Sequence, residues 1–228
     1  MARLARIVVP GCPHHVTQRG NRREAIFFEA GDQEVYRDLL AEHCAKSSVE
    51  VWAYCLMPNH VHLILTPSDT EGLARALGDT HRRYTTFVNA RARWSGHLFQ
   101  SRYGSVAMDE AHLIAAVRYV SLNPVRARLV AQASDWPWSS VRAHLARADD
   151  ELVSVTPILS RVPDFAALVS TAGDERLYIG IRSAERTGRP LGNSDFISGL
   201  ERILGRPIAK RAAGRKRKTN IDDQPLLL

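Results

Sequence analysis

His60-Val61-His62 lies at the head of HVHLILT (60–66), an apolar, β-branched run that predicts a strand. Side chains alternate along a strand, so His60, His62 and Ile64 share one face and Val61, Leu63 and Leu65 supply a plain core face. The two imidazoles would stand about 7 Å apart by the strand rise, near enough to share one metal ion. A histidine on a strand is often only a polar position facing solvent. A pair becomes a site only with a third ligand and a reacting group.

A helix expected near 110–122, ended by Asn123-Pro124, offers both. Leu113, Val117 and Val120 fall on one stripe, whereas Tyr119 and Asn123 fall about 40° from one another and well off its centre. The wheel therefore sets Tyr119 away from the core, with a metal-competent amide one turn along. A helical tyrosine ordinarily packs at the core boundary with its hydroxyl in water, and Asn before Pro is also a helix-end signal. Both roles of Asn123 can hold at once.

The elements that must position these groups follow in order. Extended segments at Ile7–Val9 and His14–Arg19 lead to the loop GNRRE, and Val35, Leu39, Leu40 and His43 mark a helix over 32–46. VEVWAYCL (49–56) and HVHLILT read as a hairpin broken at Met57-Pro58-Asn59. A long helix over 71–92, capped by Thr70 or Asp69, precedes two short extended pieces in 95–108. Strand, helix, hairpin, helix, strand is the order of an α+β, ferredoxin-like (split βαβ) sandwich with an antiparallel sheet. Beyond it the pattern is mostly helical, which divides the chain into 1–150, a helical extension 151–205 and a basic tail 206–228.

The 228 residues carry 31 Lys plus Arg against 24 Asp plus Glu, a net charge of +7, with 45% hydrophobic residues. That composition excludes a disordered or fibrous chain. No run approaches the ~18 apolar residues of a membrane span, and the start reaches Pro10 too soon for a signal peptide, so a cytoplasmic, nucleoid-associated protein without membrane contact is expected. Three scattered cysteines with no CxxC argue against a disulfide framework or a thiolate zinc site. Seven basic and no acidic residues fall within 206–218, where Lys210, Arg211, Arg215, Lys216, Arg217 and Lys218 suit an arm that meets nucleic acid. Arg19, Arg22 and Arg23 beside the Gly20-Asn21 turn, Arg82 and Arg83 on the long helix, and Arg102 and Arg126 near the proposed site suit phosphate contact better than base reading.

HHVTQRGNRREAIFF (14–28), MPNHVHLIL (57–65), GHLFQSRY (96–103) and YVSLNPVRARLV (119–130), in this order, resemble the HUH single-tyrosine transposases, and most closely the REP-associated tyrosine transposases. The resemblance covers roughly residues 5–145, and shorter stretches at 136–144 and 188–206 also resemble that branch. It implies Mg²⁺ or Mn²⁺ held by His60, His62 and Asn123, with Tyr119 as nucleophile on a DNA phosphodiester through a 5′-phosphotyrosine. It also implies single-stranded DNA with a hairpin, the repeated extragenic palindrome, as partner, and a monomer or homodimer. Two other readings stay open: a non-cleaving DNA-binding protein that occupies the same repeats, and a small-molecule zinc hydrolase built on the HxH strand.

Overall fold

The computed structural model describes residues 6–171 and 174–208. Strand β1 (His14–Arg19), helix α1 (Asp32–Lys46), strands β2 (Val49–Met57) and β3 (His60–Pro67), helix α2 (Gly72–Ala92) and strand β4 (Gly104–Ala107) follow in chain order. The sheet order is β2-β3-β1-β4 with every neighbour antiparallel, which is the split βαβ topology. Pro58 and Asn59 alone separate β2 from β3, and this tight turn fixes their register as Met57 opposite His60 and Cys55 opposite His62.

Helix α3 (Glu110–Ser121) starts where the Asp109 side chain accepts the His112 N–H, and the short α4 (Asn123–Arg126) follows directly. The rest is helical: α5 (Val141–Ala146), α6 (Thr156–Leu159), α7 (Phe165–Ser170), α8 (Glu175–Thr187) and α9 (Ser194–Leu204). Asn193 caps α9 through the Phe196 N–H, and Gly205, at φ 61°, stops it.

Both faces of the sheet are covered, because β2 and β3 are buried almost throughout. Helices α1 and α2 pack on each other and against β2 and β3, whereas α3 packs on those strands and on α8. Tyr119 of α3 reaches the histidine rings, which leaves the Val61, Leu63 and Leu65 face to α1 and α2. Each of those three side chains is fully buried and contributes about 2 kcal/mol. Val153, Ile158, Phe165, Tyr178 and Ile181 join the same core as the sheet, so the extension is packed on the strands and not hung beside them.

Three expectations need correction. Ile7–Val9 is not a strand: the chain reverses at Gly11 (φ 70°), β1 already has a neighbour on each side, and Ile7 and Val9 pack with Leu200 and Ile208 instead. Within 95–108 only Gly104–Ala107 pairs as a strand, the earlier part making a single bridge between Phe99 and Gly20. Helix α2 has Glu71, not Thr70 or Asp69, at its N-cap, and the Asp69 carboxylate accepts the Glu71 N–H one turn early.

Candidate active site on the histidine face

The β1–β3 register sets His15 opposite Ile64, Thr17 opposite His62 and Arg19 opposite His60, so all six share the face that Tyr119 covers. The ring centroids of His60 and His62 are 4.9 Å apart, and the Tyr119 ring stands edge-on to His62 at 5.5 Å and to His15 at 6.1 Å. Tyr119 is only 8% exposed. This corrects the wheel: α3 is covered by the sheet on one side and α8 on another, so its buried arc extends past the Leu113 stripe to Tyr119, which also packs on Tyr178.

Two hydrogen bonds define the histidines. Asn59 donates its Nδ2 to the Arg23 carbonyl, leaving its Oδ1 to accept from His60 Nδ1 at 2.6 Å. His15 Nε2 and His62 Nδ1 lie 2.9 Å apart with the rings 8° from parallel and 5.1 Å between centroids. Such a spacing, with the nitrogens facing, is that of an in-plane N–H···N bond. No hydrogen bond reaches the Nε2 of His60 or His62 among the described residues. Burial, reinforced at His60 by the Arg19 charge, lowers that ring to about 4, lowers His15 to about 3 and sets His62 well below its ordinary value. The rings are therefore neutral at pH 7, the form that binds a metal.

Glu185, on α8, completes this cluster. Its Oε1 lies 3.8 Å from His15 Nδ1 and 4.0 Å from His62 Nδ1, and the three side chains can each offer a ligand atom within 4.8 Å of the others. Burial pushes its carboxyl up to about 7 against the pull of Arg19 and Arg182. Burial also raises the Tyr119 hydroxyl, Glu185 adds to that, and Arg126, Arg182 and Arg19 oppose it.

His60, His62, Tyr119 and Glu185 line a cleft of about 990 Å³ between the sheet edge and α8, with His15 buried behind them. Arg19, Arg23 and Arg102 line it, as do Arg182, Arg186 and Arg189 from the extension, which the sequence had not marked. Gly20 makes the turn beside it possible, since a Cβ there would lie 2.2 Å from the Glu24 carbonyl oxygen. The remaining candidates lie elsewhere. Arg82 pairs with Asp79 and Arg83 with Glu42 on the helical layer, neither lining the cleft. Arg22 sits in the same turn as Arg23 but does not line the cleft. Asn123 opens α4, half-buried, outside the cleft lining, with no hydrogen bond to its Nδ2 among the described residues. Lys210, Arg211, Arg215, Lys216, Arg217 and Lys218 lie outside the described residues.

His15 was legible as a polar residue within an extended run two positions before Thr17, but its face depends on the β1–β3 pairing. Glu185 carries a clearer mark. It stands four residues after Ile181 and seven after Tyr178, on the buried face of α8, where an acid has no structural reason to be.

A ferredoxin-like sheet here presents paired histidines and a tyrosine to a cleft whose lining is rich in arginine and so electropositive. The chain belongs to the family of IS200-like transposases, whose model matches residues 8–123 and so spans His15, the His60–His62 pair, Tyr119 and Asn123 but not α8. A curated relative, the REP-associated tyrosine transposase of Escherichia coli (strain K12), is 25% identical over 99 residues, 43% of this chain and 58% of the relative. The chain thus aligns with little more than half the length of that relative. A solved structure of a REP-associated tyrosine transposase bound to a REP hairpin shares the fold, with a TM-score of 0.57 and 22% identity over 68% of this chain and 94% of the other. Among the described residues no helix is long and apolar enough to cross a membrane.

Proposed function

We propose that this transposase is a metal-dependent, single-stranded DNA endonuclease and strand transferase that acts on repeated extragenic palindromic hairpins through Tyr119. The observation that carries the reading is the edge-on contact of Tyr119 with His62 inside the arginine-lined cleft. His60 and His62, each with Nδ1 in a hydrogen bond and no partner on Nε2 among the described residues, would hold a divalent cation, Mg²⁺ or Mn²⁺, with Asn123 at the start of α4 offering its amide oxygen as third donor. Such a cation, when bound, supplies positive charge to the non-bridging phosphate oxygens.

The residues of the chain do the rest. Arg19, Arg23 and Arg102 hold phosphates along the cleft and fix the in-line approach. The Tyr119 oxygen forms a bond to phosphorus as the bond to the 3′ oxygen breaks. The phenolic proton is lost, the departing oxygen gains one, and the products are a 5′-phosphotyrosine and a free 3′-OH. The intermediate keeps the phosphodiester bond energy, so a second strand end can be joined by the reverse reaction.

A labelled hairpin with a single-stranded flank tests this. A denaturation-resistant protein–DNA adduct is expected with wild type and Mn²⁺, and none with Tyr119→Phe or with chelator. Tight hairpin binding without any adduct would leave the non-cleaving binder in its place.

A further inference from the structure

We infer that His15 and Glu185 are positioning residues for His62: the Glu185 carboxylate selects the tautomer of the His15–His62 pair that leaves His62 Nε2 as a lone pair facing the cleft. The inference rests on the metal reading above and extends it to a side chain from outside the 8–123 family region.

A neutral imidazole carries one proton, and two imidazoles joined nitrogen to nitrogen have two ways to share theirs. In the first, His62 Nδ1–H donates to His15 Nε2, so His15 keeps its proton on Nδ1. In the second, His15 Nε2–H donates to His62 Nδ1, and the His62 proton sits on Nε2, the atom needed for a cation. The hydrogen bond between the rings is the same in both. What distinguishes them is the far nitrogen of His15, which lies 3.8 Å from Glu185 Oε1.

In the first arrangement that nitrogen is an N–H beside a carboxylate oxygen. In the second it is a bare lone pair beside one, in a buried place. His15 Nδ1 and Glu185 Oε1 are both buried without another hydrogen-bond partner among the described residues, and His15 is 1% exposed. Neither of these two atoms is open to solvent, so the difference is only weakly screened. The carboxylate therefore favours the first arrangement. His60 needs no such help, because Asn59 already holds its proton on Nδ1. The chain thus uses a local amide for one histidine and a distant carboxylate, 123 residues along, for the other.

The test uses the full chain without DNA at about pH 8, where Glu185 is ionised, Mn²⁺ alone as probe and two readouts: Mn²⁺ affinity by EPR titration, and the His62 ring tautomer by ¹⁵N NMR in the metal-free protein. Wild type should show His62 protonated on Nδ1. Glu185→Gln and His15→Ala should lose that single tautomer and bind Mn²⁺ roughly 10- to 100-fold more weakly, with circular dichroism unchanged. If His15→Ala does not fold, Glu185→Gln, at the cleft surface, decides alone. Wild-type affinity and tautomer in Glu185→Gln overturn the inference. Lost Mn²⁺ binding with an unchanged tautomer also overturns it, since Glu185 would then be a direct ligand. If wild type binds no Mn²⁺, the metal reading fails, and the metal-free tautomer comparison still decides the positioning role.

Discussion

The guanidinium of Arg126 lies over two tyrosine rings at once, 5.3 Å from the centroid of Tyr119 and 4.5 Å from that of Tyr178. Glu175, 3.5 Å away, helps hold it there. Arg126 leaves α4 just after Asn123, and Tyr178 belongs to α8, so one side chain ties the tyrosine helix to the C-terminal extension. The positive charge also favours the phenolate of Tyr119, against the burial and the Glu185 carboxylate that raise it.

Replacing Arg126 by Gln should therefore move the Tyr119 hydroxyl further up. Adduct formation at pH 7.5 should slow about two- to five-fold, the range of a single cation–π contact. Its rise with pH should shift to the alkaline side. A rate profile from pH 6.5 to 9.5 checks this, and an unshifted profile would make Arg126 a packing residue only.

Removing the nucleophile should leave the fold alone. The Tyr119 ring contributes the packing, and its hydroxyl makes no hydrogen bond among the described residues, so Tyr119→Phe strands no buried partner. The expected outcome is complete loss of the covalent adduct, hairpin binding within about two-fold, and a stability change under ~1 kcal/mol. Hairpin gel shift and urea unfolding measure the last two.

Most of this architecture is written in local pattern. The order of strands and helices in 14–107, the shared face of His60 and His62, and the break at Asn123-Pro124 all follow from period and breaker residues. What local pattern does not carry is the covering of a face. Tyr119 sits off the stripe of its own helix and is buried because α8, over fifty residues later, lies across it. His15 joins the site through strand register, and Glu185 through the docking of α8, both of which are tertiary facts. The acid on the buried face of α8 was the one readable sign of the latter.

Acid should unfold this protein through its histidines. Burial lowers His14 to about 4 and His81 to about 3. The unfolded chain takes up protons below about 6.5 that the folded one refuses, so stability is fully present above that pH and lost as pH falls toward 4. Each such histidine costs up to about 1.4 kcal/mol per pH unit in that window. Glu185 acts in the opposite sense: raised to about 7, it is easier to hold folded when protonated, so its contribution favours folding below that pH and declines as pH rises from about 4.5 to about 7. One carboxyl does not offset several histidines. Urea midpoints should fall steeply between pH 6.5 and 4.5, and Glu185→Gln should be more stable than wild type at pH 8. A flat wild-type profile would mean that these rings titrate normally.

The helical layer has its own anchor. Arg91, near the end of α2, makes two hydrogen bonds to the buried Asp32 carboxylate at the start of α1, 2.5 and 3.0 Å long, and Asp32 also accepts the Phe28 and Glu29 N–H groups. Burial pushes that carboxyl up, and these four donors hold it below its ordinary value all the same. Arg91→Ala leaves the Asp32 carboxylate without its counter-charge and should lower the urea midpoint, by more than a change at the exposed Arg82–Asp79 pair does. Equilibrium urea unfolding at pH 7 measures it, and an unchanged midpoint would show the pair to be replaceable by water.

The arginine cleft is open to a test that does not depend on catalysis. Phosphates neutralised by side chains release counterions, so affinity for a single strand falls with salt in proportion to about 0.7 per contact. Arg19, Arg23 and Arg102 line the cleft and have no ion-pair partner within 4 Å among the described residues, whereas Arg82 and Arg83 are each held by an acid on the helical layer. Changing the first three to Gln should reduce the slope of log affinity against log salt by about 2. Changing Arg82 and Arg83 should alter it by under ~0.5, because the paired charges lie away from the strand. Fluorescence anisotropy with a single-stranded oligonucleotide between 50 and 300 mM salt, a range of about six-fold, resolves the two. Equal reductions in both variants would move the DNA path from the cleft to the α2 face.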